Sequence, residues 1–269
     1  MKIKQVFLLA GIFLILGQGL AEAKKSLYLP LIIKNKCSDF VFLAYGDSIT
    51  AGYGATAFPF DLNSIPHSGY VGRLYEDLQA LYPKQDIVFY NMGIGGQTTD
   101  VGLVRFEATI TEPILACHYD SGCIYPRTHP EVLPDLILLM EGTNDLNVGT
   151  PYEELDSHLR SMVAIAQQQG MKVIIGTIPP VCGDLGFLQQ RIEGFRPWIY
   201  QIARDFNIPL ADVFGQFVST PNWETTLIST DPRLGCEHPN DSGYAVMKQA
   251  FLDGIKPWMT ADGCYTSPH

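Results

Sequence analysis

The chain has 269 residues, 46% of them hydrophobic, and its 28 acidic residues outnumber 18 basic ones to give a net charge of −10 at pH 7. This length suits a single domain with a large hydrophobic core. The acidic charge makes nucleic acids and anionic membrane surfaces poor partners, so we expect no nucleic-acid binding and no stable membrane association of the mature chain.

The first residues have the features of an export signal. Two lysines precede an apolar run at residues 6–16, and Ala21-Glu22-Ala23 fits the small-x-small pattern found before a cleavage site. The apolar run is shorter than the ~20 residues that a membrane-spanning helix needs. We therefore predict a signal peptide over residues 1–23 and a secreted or periplasmic protein.

A basic, apolar segment without periodicity occupies residues 24–36, and residues 37–269 are expected to form a single domain. Short apolar, β-branched runs alternate there with longer helical patterns. The runs predicted to be strands lie at residues 40–45, 86–91, 135–140, 172–178 and 208–214. Their hydrophobicity is continuous, which is typical of parallel strands that are covered on both faces.

Helical patterns separate these runs. They span residues 69–82, 98–110, 152–170, 188–206 and about 242–255. Repeated alternation of strand and helix predicts an α/β fold, specifically a three-layer α/β/α sandwich around a mostly parallel five-stranded sheet.

Reactive and hydrogen-bonding residues follow the predicted strands. Ser48 comes after the first strand, Gly96 after the second and Asn144 after the third, while His238 precedes the last helix. In open α/β sheets, ligands bind outside the carboxyl ends of the strands. A serine hydroxyl is a weak nucleophile until a base removes its proton, and His238 is the candidate base.

Acyl transfer also needs hydrogen-bond donors for the oxyanion that develops on the substrate. The backbone N–H groups of Ser48 and Gly96 and the side-chain amide of Asn144 can supply three such donors. The neighbouring Asp47 and Asp145 are expected to accept hydrogen bonds from loop amides rather than to transfer protons.

Four sequence blocks in a fixed order carry a family resemblance. They are YGDSIT (45–50), NMGIGGQTT (91–99), GTND (142–145) and HPNDSGY (238–244). With these blocks the chain resembles the GDSL, or SGNH, hydrolase superfamily over roughly residues 40–256, which implies the flavodoxin-like SGNH-hydrolase fold. The resemblance implies Ser48 as nucleophile, His238 as general base, and Ser48, Gly96 and Asn144 as the oxyanion hole. It implies no cofactor, and the scattered histidines give no reason to expect a metal.

The sequence departs from the family pattern at one position. The usual Asp-x-x-His motif would place an aspartate where this chain has Gly235. The group that orients His238 is therefore open between a backbone carbonyl or water, Asp231 and Glu237. We expect the side chain of Glu237, adjacent in sequence, to point away from the imidazole. Asp231 lies far enough back for the chain to loop round, and we name it as the candidate third catalytic residue.

The resemblance implies a secreted serine ester hydrolase that cleaves carboxylic esters through an acyl-enzyme on Ser48. The expected substrates are small-molecule or polysaccharide esters, with short acyl groups on carbohydrates or small alcohols preferred. Two alternatives stay open: an acyltransferase that uses the same site, and a catalytically inactive carbohydrate-binding or surface protein.

Six cysteines on an exported chain favour disulfides over a metal site, and no CxxC pair is present. Sequence alone leaves fifteen connectivities. Positions in the predicted fold favour the pairs Cys37–Cys264, Cys117–Cys123 and Cys182–Cys236, the last of which joins two loops at the catalytic edge.

Overall fold

A computed structural model of the chain describes residues 37, 39–56, 69–111, 133–183 and 185–259. The predicted signal peptide and the segment 24–36 lie outside the described residues. Within the described ranges, no helix is both long and apolar enough to cross a membrane.

The five predicted strands are all present and form one parallel sheet. They are β1 (Asp39–Gly46), β2 (Asp86–Gly93), β3 (Leu136–Met140), β4 (Lys172–Gly176) and β5 (Leu210–Ala211). Their order across the sheet is β2-β1-β3-β4-β5, and every pairing is parallel. The strand predicted at 208–214 is shorter than expected because residues from Val213 onward turn into a helix.

Helices connect the strands, and the five longest match the predicted helical patterns. The helices are α1 (Ser48–Ala51), α2 (Tyr70–Leu81), α3 (Thr99–Thr111), α4 (Thr143–Val148), α5 (Tyr152–Gln168), α6 (Gly186–Asp205), α7 (Val213–Val218), α8 (Trp223–Thr226) and α9 (Asp241–Ile255). The short helices α1, α4, α7 and α8 were not predicted from sequence periodicity.

Alternate side chains of β1 enter two separate cores, because neighbouring strand residues point to opposite faces. On one face, Leu43 packs in a cluster with Phe106 of α3 and with residues of α5 and α6. On the other face, Phe42 packs in a cluster with Tyr70 of α2 and Phe251 of α9. The sheet therefore forms the middle of three layers, which confirms the predicted α/β/α sandwich.

The strand order reverses direction at β1, which lies between β2 and β3. Gly46 at the end of β1 is in register with Gly93 of β2 and Met140 of β3. The loops that leave these three strands consequently meet at one edge of the sheet, at the kind of topological switch point where α/β proteins bind ligands.

Candidate active site

Ser48 lies at a tight junction between β1 and α1. It is the first residue of α1, and Asp47 caps this short helix by accepting a hydrogen bond from the backbone N–H of Ile49 at 2.9 Å. Burial raises the pKa of the Asp47 carboxyl. The prediction that Asp47 bonds a loop amide is confirmed.

His238 contacts Ser48 although the two residues are 190 positions apart in the chain. The Nε2 atom of His238 lies 2.9 Å from the Ser48 hydroxyl oxygen, and Nδ1 lies 2.6 Å from the backbone carbonyl oxygen of Leu234. A carbonyl oxygen only accepts hydrogen bonds, so Nδ1 must carry the proton. In the neutral imidazole, Nε2 then has a free lone pair that faces the Ser48 hydroxyl.

Several contacts fix the loop that carries His238. The backbone carbonyl of His238 accepts a hydrogen bond from the N–H of Ser229 at 2.8 Å, and Asn240 caps helix α9, which follows. A disulfide joins Cys236 to Cys182, whose N–H also donates to the Cys236 carbonyl at 3.0 Å. This disulfide was predicted and is confirmed. The other predicted pairs each involve cysteines outside the described residues, and they stay predictions.

The two candidate acids lie in different environments. Glu237 Oε1 is 3.7 Å from His238 Nδ1. This separation is too long for a hydrogen bond, but it shows that the expectation of an outward-pointing Glu237 side chain was wrong. The carboxylate of Asp231 instead accepts hydrogen bonds from Arg233, with the shortest at 2.6 Å, and these bonds lower the pKa of Asp231 to about 2. The structure thus brings Leu234 to the imidazole and pairs Asp231 with Arg233.

The two loops predicted to supply oxyanion donors are joined directly. The side-chain amide of Asn144, in α4, donates to the backbone carbonyl of Gln97 at 2.8 Å. Gly96 precedes Gln97 and has a backbone φ of +76°, a left-handed conformation that favours glycine. Because the Asn144 amide nitrogen carries two hydrogens, one remains for a ligand.

Asp145 reinforces the same junction. Its carboxylate accepts from the backbone N–H of Thr99 at 2.9 Å and from the Thr99 hydroxyl at 2.6 Å. The prediction that Asp145 bonds a loop amide is confirmed. The loops after β2 and β3 are therefore held together at both Asn144 and Asp145.

Sequence reasoning missed three residues at this site: Gln97, Glu141 and Leu234. Glu141 is only 2% exposed and accepts from the Gln97 side-chain amide at 2.5 Å. Glu141 could have been predicted from the sequence, because it is an acidic residue that directly follows an apolar strand and directly precedes the GTND block. The role of Leu234 belongs to its backbone carbonyl and leaves no mark in the side-chain sequence.

Comparison with known protein families identifies the family of this chain. The profile of the GDSL-like Lipase/Acylhydrolase family matches residues 44–246, a range that contains Ser48, Gly96, Asn144 and His238. The chain belongs to this family. As a GDSL-like acylhydrolase, it is a carboxylic ester hydrolase. A comparison with curated proteins finds no significant match.

Solved structures share the fold of this GDSL-like acylhydrolase. A lipase/acylhydrolase from Enterococcus faecalis is similar with a TM-score of 0.62 and 20% identity, over 84% of this chain and 100% of that one. An acetyl xylan esterase from Geobacillus stearothermophilus gives a TM-score of 0.59 and 23% identity, over 82% and 96%. The psychrotrophic esterase EstA from Pseudoalteromonas sp. gives 0.57 and 22%, over 82% and 98%.

Proposed function

We propose that this hydrolase cleaves carboxylic esters through an acyl-enzyme on Ser48. The observation that carries the proposal is the 2.9 Å contact between the Ser48 hydroxyl and His238 Nε2. His238 takes the hydroxyl proton as Ser48 Oγ bonds to the ester carbonyl carbon. The same proton passes to the leaving alcohol when the ester bond breaks. Water then attacks the acyl-enzyme with His238 again as base, which releases the acid and restores Ser48.

The oxyanion of each tetrahedral intermediate is bound by the N–H groups of Ser48 and Gly96 and by the Asn144 amide. The Leu234 carbonyl holds His238 in the tautomer whose Nε2 faces Ser48. It fills the orienting position that an aspartate occupies in the usual triad. Glu237 stabilises the imidazolium at longer range, 3.7 Å from Nδ1.

Short acyl groups on carbohydrates or small alcohols are the proposed substrates. The similar fold of an acetyl xylan esterase supports this class. A cavity of about 510 Å³ also lies beside the His238 loop, and its lining includes Leu234, the polar side chains of Thr56 and Ser229, and the Asp231–Arg233 pair. Polar and charged groups of this kind suit the hydroxyl groups of a sugar leaving group, and His238 must lie beside that group to return its proton.

A substrate panel tests the proposal. We expect the purified mature chain to hydrolyse p-nitrophenyl acetate faster than longer-chain p-nitrophenyl esters, and to release acetate from acetylated xylan. Arg233→Ala should raise KM for acetylated xylan more than KM for p-nitrophenyl acetate, because only the sugar leaving group has hydroxyl groups that can bind the polar lining of the cavity. A rate that rises steadily with acyl length would contradict the preference for short acyl groups.

An acyltransferase using the same residues is the second candidate, whereas membership of the acylhydrolase family counts against the inactive carbohydrate-binding protein. Adding an alcohol acceptor separates the first two, because a transferase forms a new ester while a hydrolase releases free acid. The contact between Ser48 and His238 favours an active enzyme over the binding protein.

We also propose that the protein is secreted after cleavage behind Ala23. Mass spectrometry of the exported protein should give an N-terminus at Lys24. Recovery of the chain with its first 23 residues in the cell fraction alone would contradict this.

A further inference from the structure

Glu141 is a carboxylate buried directly behind the proposed oxyanion hole. It follows β3 and precedes Gly142, Thr143 and Asn144, and its Oε1 accepts from Gln97 Nε2 at 2.5 Å. Its Oε2 is buried with no hydrogen-bond partner among the residues that the structure describes. A buried carboxylate without full pairing is costly to stability, so its position calls for an explanation beyond packing.

Both polar atoms of the Gln97 side-chain amide make hydrogen bonds in this interior. While Nε2 donates to Glu141, Oε1 accepts from Arg105 Nε at 2.7 Å. Arg105 is itself anchored, since its Nη2 donates to the Met92 carbonyl at 2.8 Å and its guanidinium lies 4.0 Å from the centre of the Tyr45 ring. Gln97 is therefore held from both ends of its amide.

The backbone of Gln97 carries this constraint to the active site. Its carbonyl accepts from Asn144 Nδ2 at 2.8 Å, so the position of Gln97 sets the direction of the second Asn144 N–H. Glu141 lies on the Asn144 loop and Gln97 lies on the Gly96 loop. The bond between the Glu141 and Gln97 side chains thus joins the same two loops from the buried side.

Helix α3 packs closely against the Glu141 carboxylate. A Cβ atom at Gly102 would lie 2.6 Å from Glu141 Oε1 and 2.7 Å from Oε2, so a larger residue there would force the Glu141 carboxylate to move. Burial raises the pKa of Glu141 well above its ordinary value, which favours a neutral carboxyl in this interior.

We propose that Glu141 and Gln97 are positioning residues that aim the Asn144 amide at the oxyanion of the substrate. The inference rests on the proposed function of Asn144 as an oxyanion donor. Oxyanion donors act only when they are preorganised, and a displacement of about 1 Å in a catalytic group can lower the rate ~10²-fold. Neither Glu141 nor Gln97 needs to contact the substrate.

Kinetics with p-nitrophenyl acetate test the role. Glu141→Ala should lower kcat about 30-fold with KM changed less than about threefold, because the misplaced donor matters in the transition state. Glu141→Gln should keep kcat within about threefold of wild type, since its amide oxygen can still accept from Gln97 and the side chain is neutral. Gln97→Met removes this bond and also the bond from Arg105 Nε, at similar side-chain volume, and should lower kcat at least as much as Glu141→Ala.

A double-mutant cycle with Asn144→Ala separates positioning from general damage. If Glu141 acts through the Asn144 amide, the loss caused by Glu141→Ala should be at least about fivefold smaller in the Asn144→Ala background. Equal losses in the two backgrounds, or a wild-type kcat in folded Glu141→Ala and Gln97→Met proteins, would overturn the proposal. If Glu141→Ala does not fold, the cycle with Gln97→Met decides in the same way.

Asp135 provides a matched control at the opposite end of the same strand. It is 3% exposed, it directly precedes β3, and its Oδ2 accepts from the Val41 N–H at 2.8 Å. Asp135→Ala should lower the melting temperature and leave kcat within about twofold of wild type. These outcomes differ from a failure of the proposed function. If the wild-type protein showed no Ser48-dependent ester hydrolysis, the proposed active site itself would be rejected. If the wild type is active but the losses in kcat from Glu141→Ala and Asn144→Ala are additive, only the positioning role of Glu141 is rejected.

Discussion

The imidazole of His238 donates from Nδ1 to the backbone carbonyl of Leu234 across 2.6 Å, four residues earlier in the chain. This contact occupies the place where a triad would have a carboxylate. A carbonyl fixes the tautomer as an aspartate does, but it brings no full negative charge to the imidazolium. We therefore expect the turnover rate to depend less on nearby acids than it does in a Ser-His-Asp triad.

Asp231→Asn should leave the turnover of p-nitrophenyl acetate within about twofold of wild type, because the Asp231 carboxylate is paired with Arg233. Glu237→Gln should lower kcat about fivefold or less, since a partly exposed charge 3.7 Å from Nδ1 contributes only ~1 kcal/mol where solvent screens it. Steady-state kinetics of both variants check this. A collapse of ~10⁴-fold in either one would identify it as the orienting acid.

Gly235 allows the turn that carries the Leu234 carbonyl to the imidazole. Its φ is +64°, so Gly235→Ala should destabilise the protein by about 1–2 kcal/mol and lower kcat. Gly235→Asn is the matched control, since asparagine adopts left-handed conformations more readily, and it should lose less of both. Urea unfolding and p-nitrophenyl acetate kinetics measure the two effects. Equal losses in the two variants would argue against a backbone cause.

The Cys182–Cys236 disulfide joins the loop after β4 to the His238 loop and closes a separation of 54 residues. Replacing both cysteines by serine should destabilise the protein by about 2–4 kcal/mol. It should also lower kcat, because the Leu234 carbonyl and His238 flank Cys236. Thermal unfolding, kinetics and non-reducing peptide mapping test this. A peptide that links Cys236 to any other cysteine would contradict the connectivity.

Asn144→Ala should lower kcat about 10²–10³-fold and change KM only slightly, because an oxyanion donor acts mainly in the transition state. Asn147→Ala is the matched control, since this exposed asparagine lies in the same helix α4 and should give wild-type kinetics. Michaelis constants with p-nitrophenyl acetate separate the two effects. A variant at Asn144 with only a raised KM would assign that residue to substrate binding.

The strands were readable from sequence because continuous apolar runs such as residues 136–140 are buried on both faces. The end of the fifth strand could not be predicted in this way. Asp212 caps α7 by accepting a hydrogen bond from the Gly215 N–H at 3.0 Å, and this local hydrogen bond outweighs the apolar pattern. Apolar periodicity carries no information on such a competition.

Some residues of the candidate active site could also be predicted from the sequence, and others could not. Ser48 and His238 were found through family blocks that name side chains. The contact with Leu234 uses a backbone carbonyl, which any residue supplies. The Glu141–Gln97 bond depends on how two loops pack in three dimensions, and its partners are 44 positions apart in the chain, so no local pattern reveals it.

The turnover rate of Ser48→Ala shows whether Ser48 is the nucleophile. Ser157→Ala, at an exposed serine of α5, is the matched control. With both variants shown to be folded by circular dichroism, Ser48→Ala should lose at least ~10³-fold in the turnover of p-nitrophenyl acetate, while Ser157→Ala keeps wild-type turnover. Unchanged turnover in a folded Ser48→Ala protein would contradict the account.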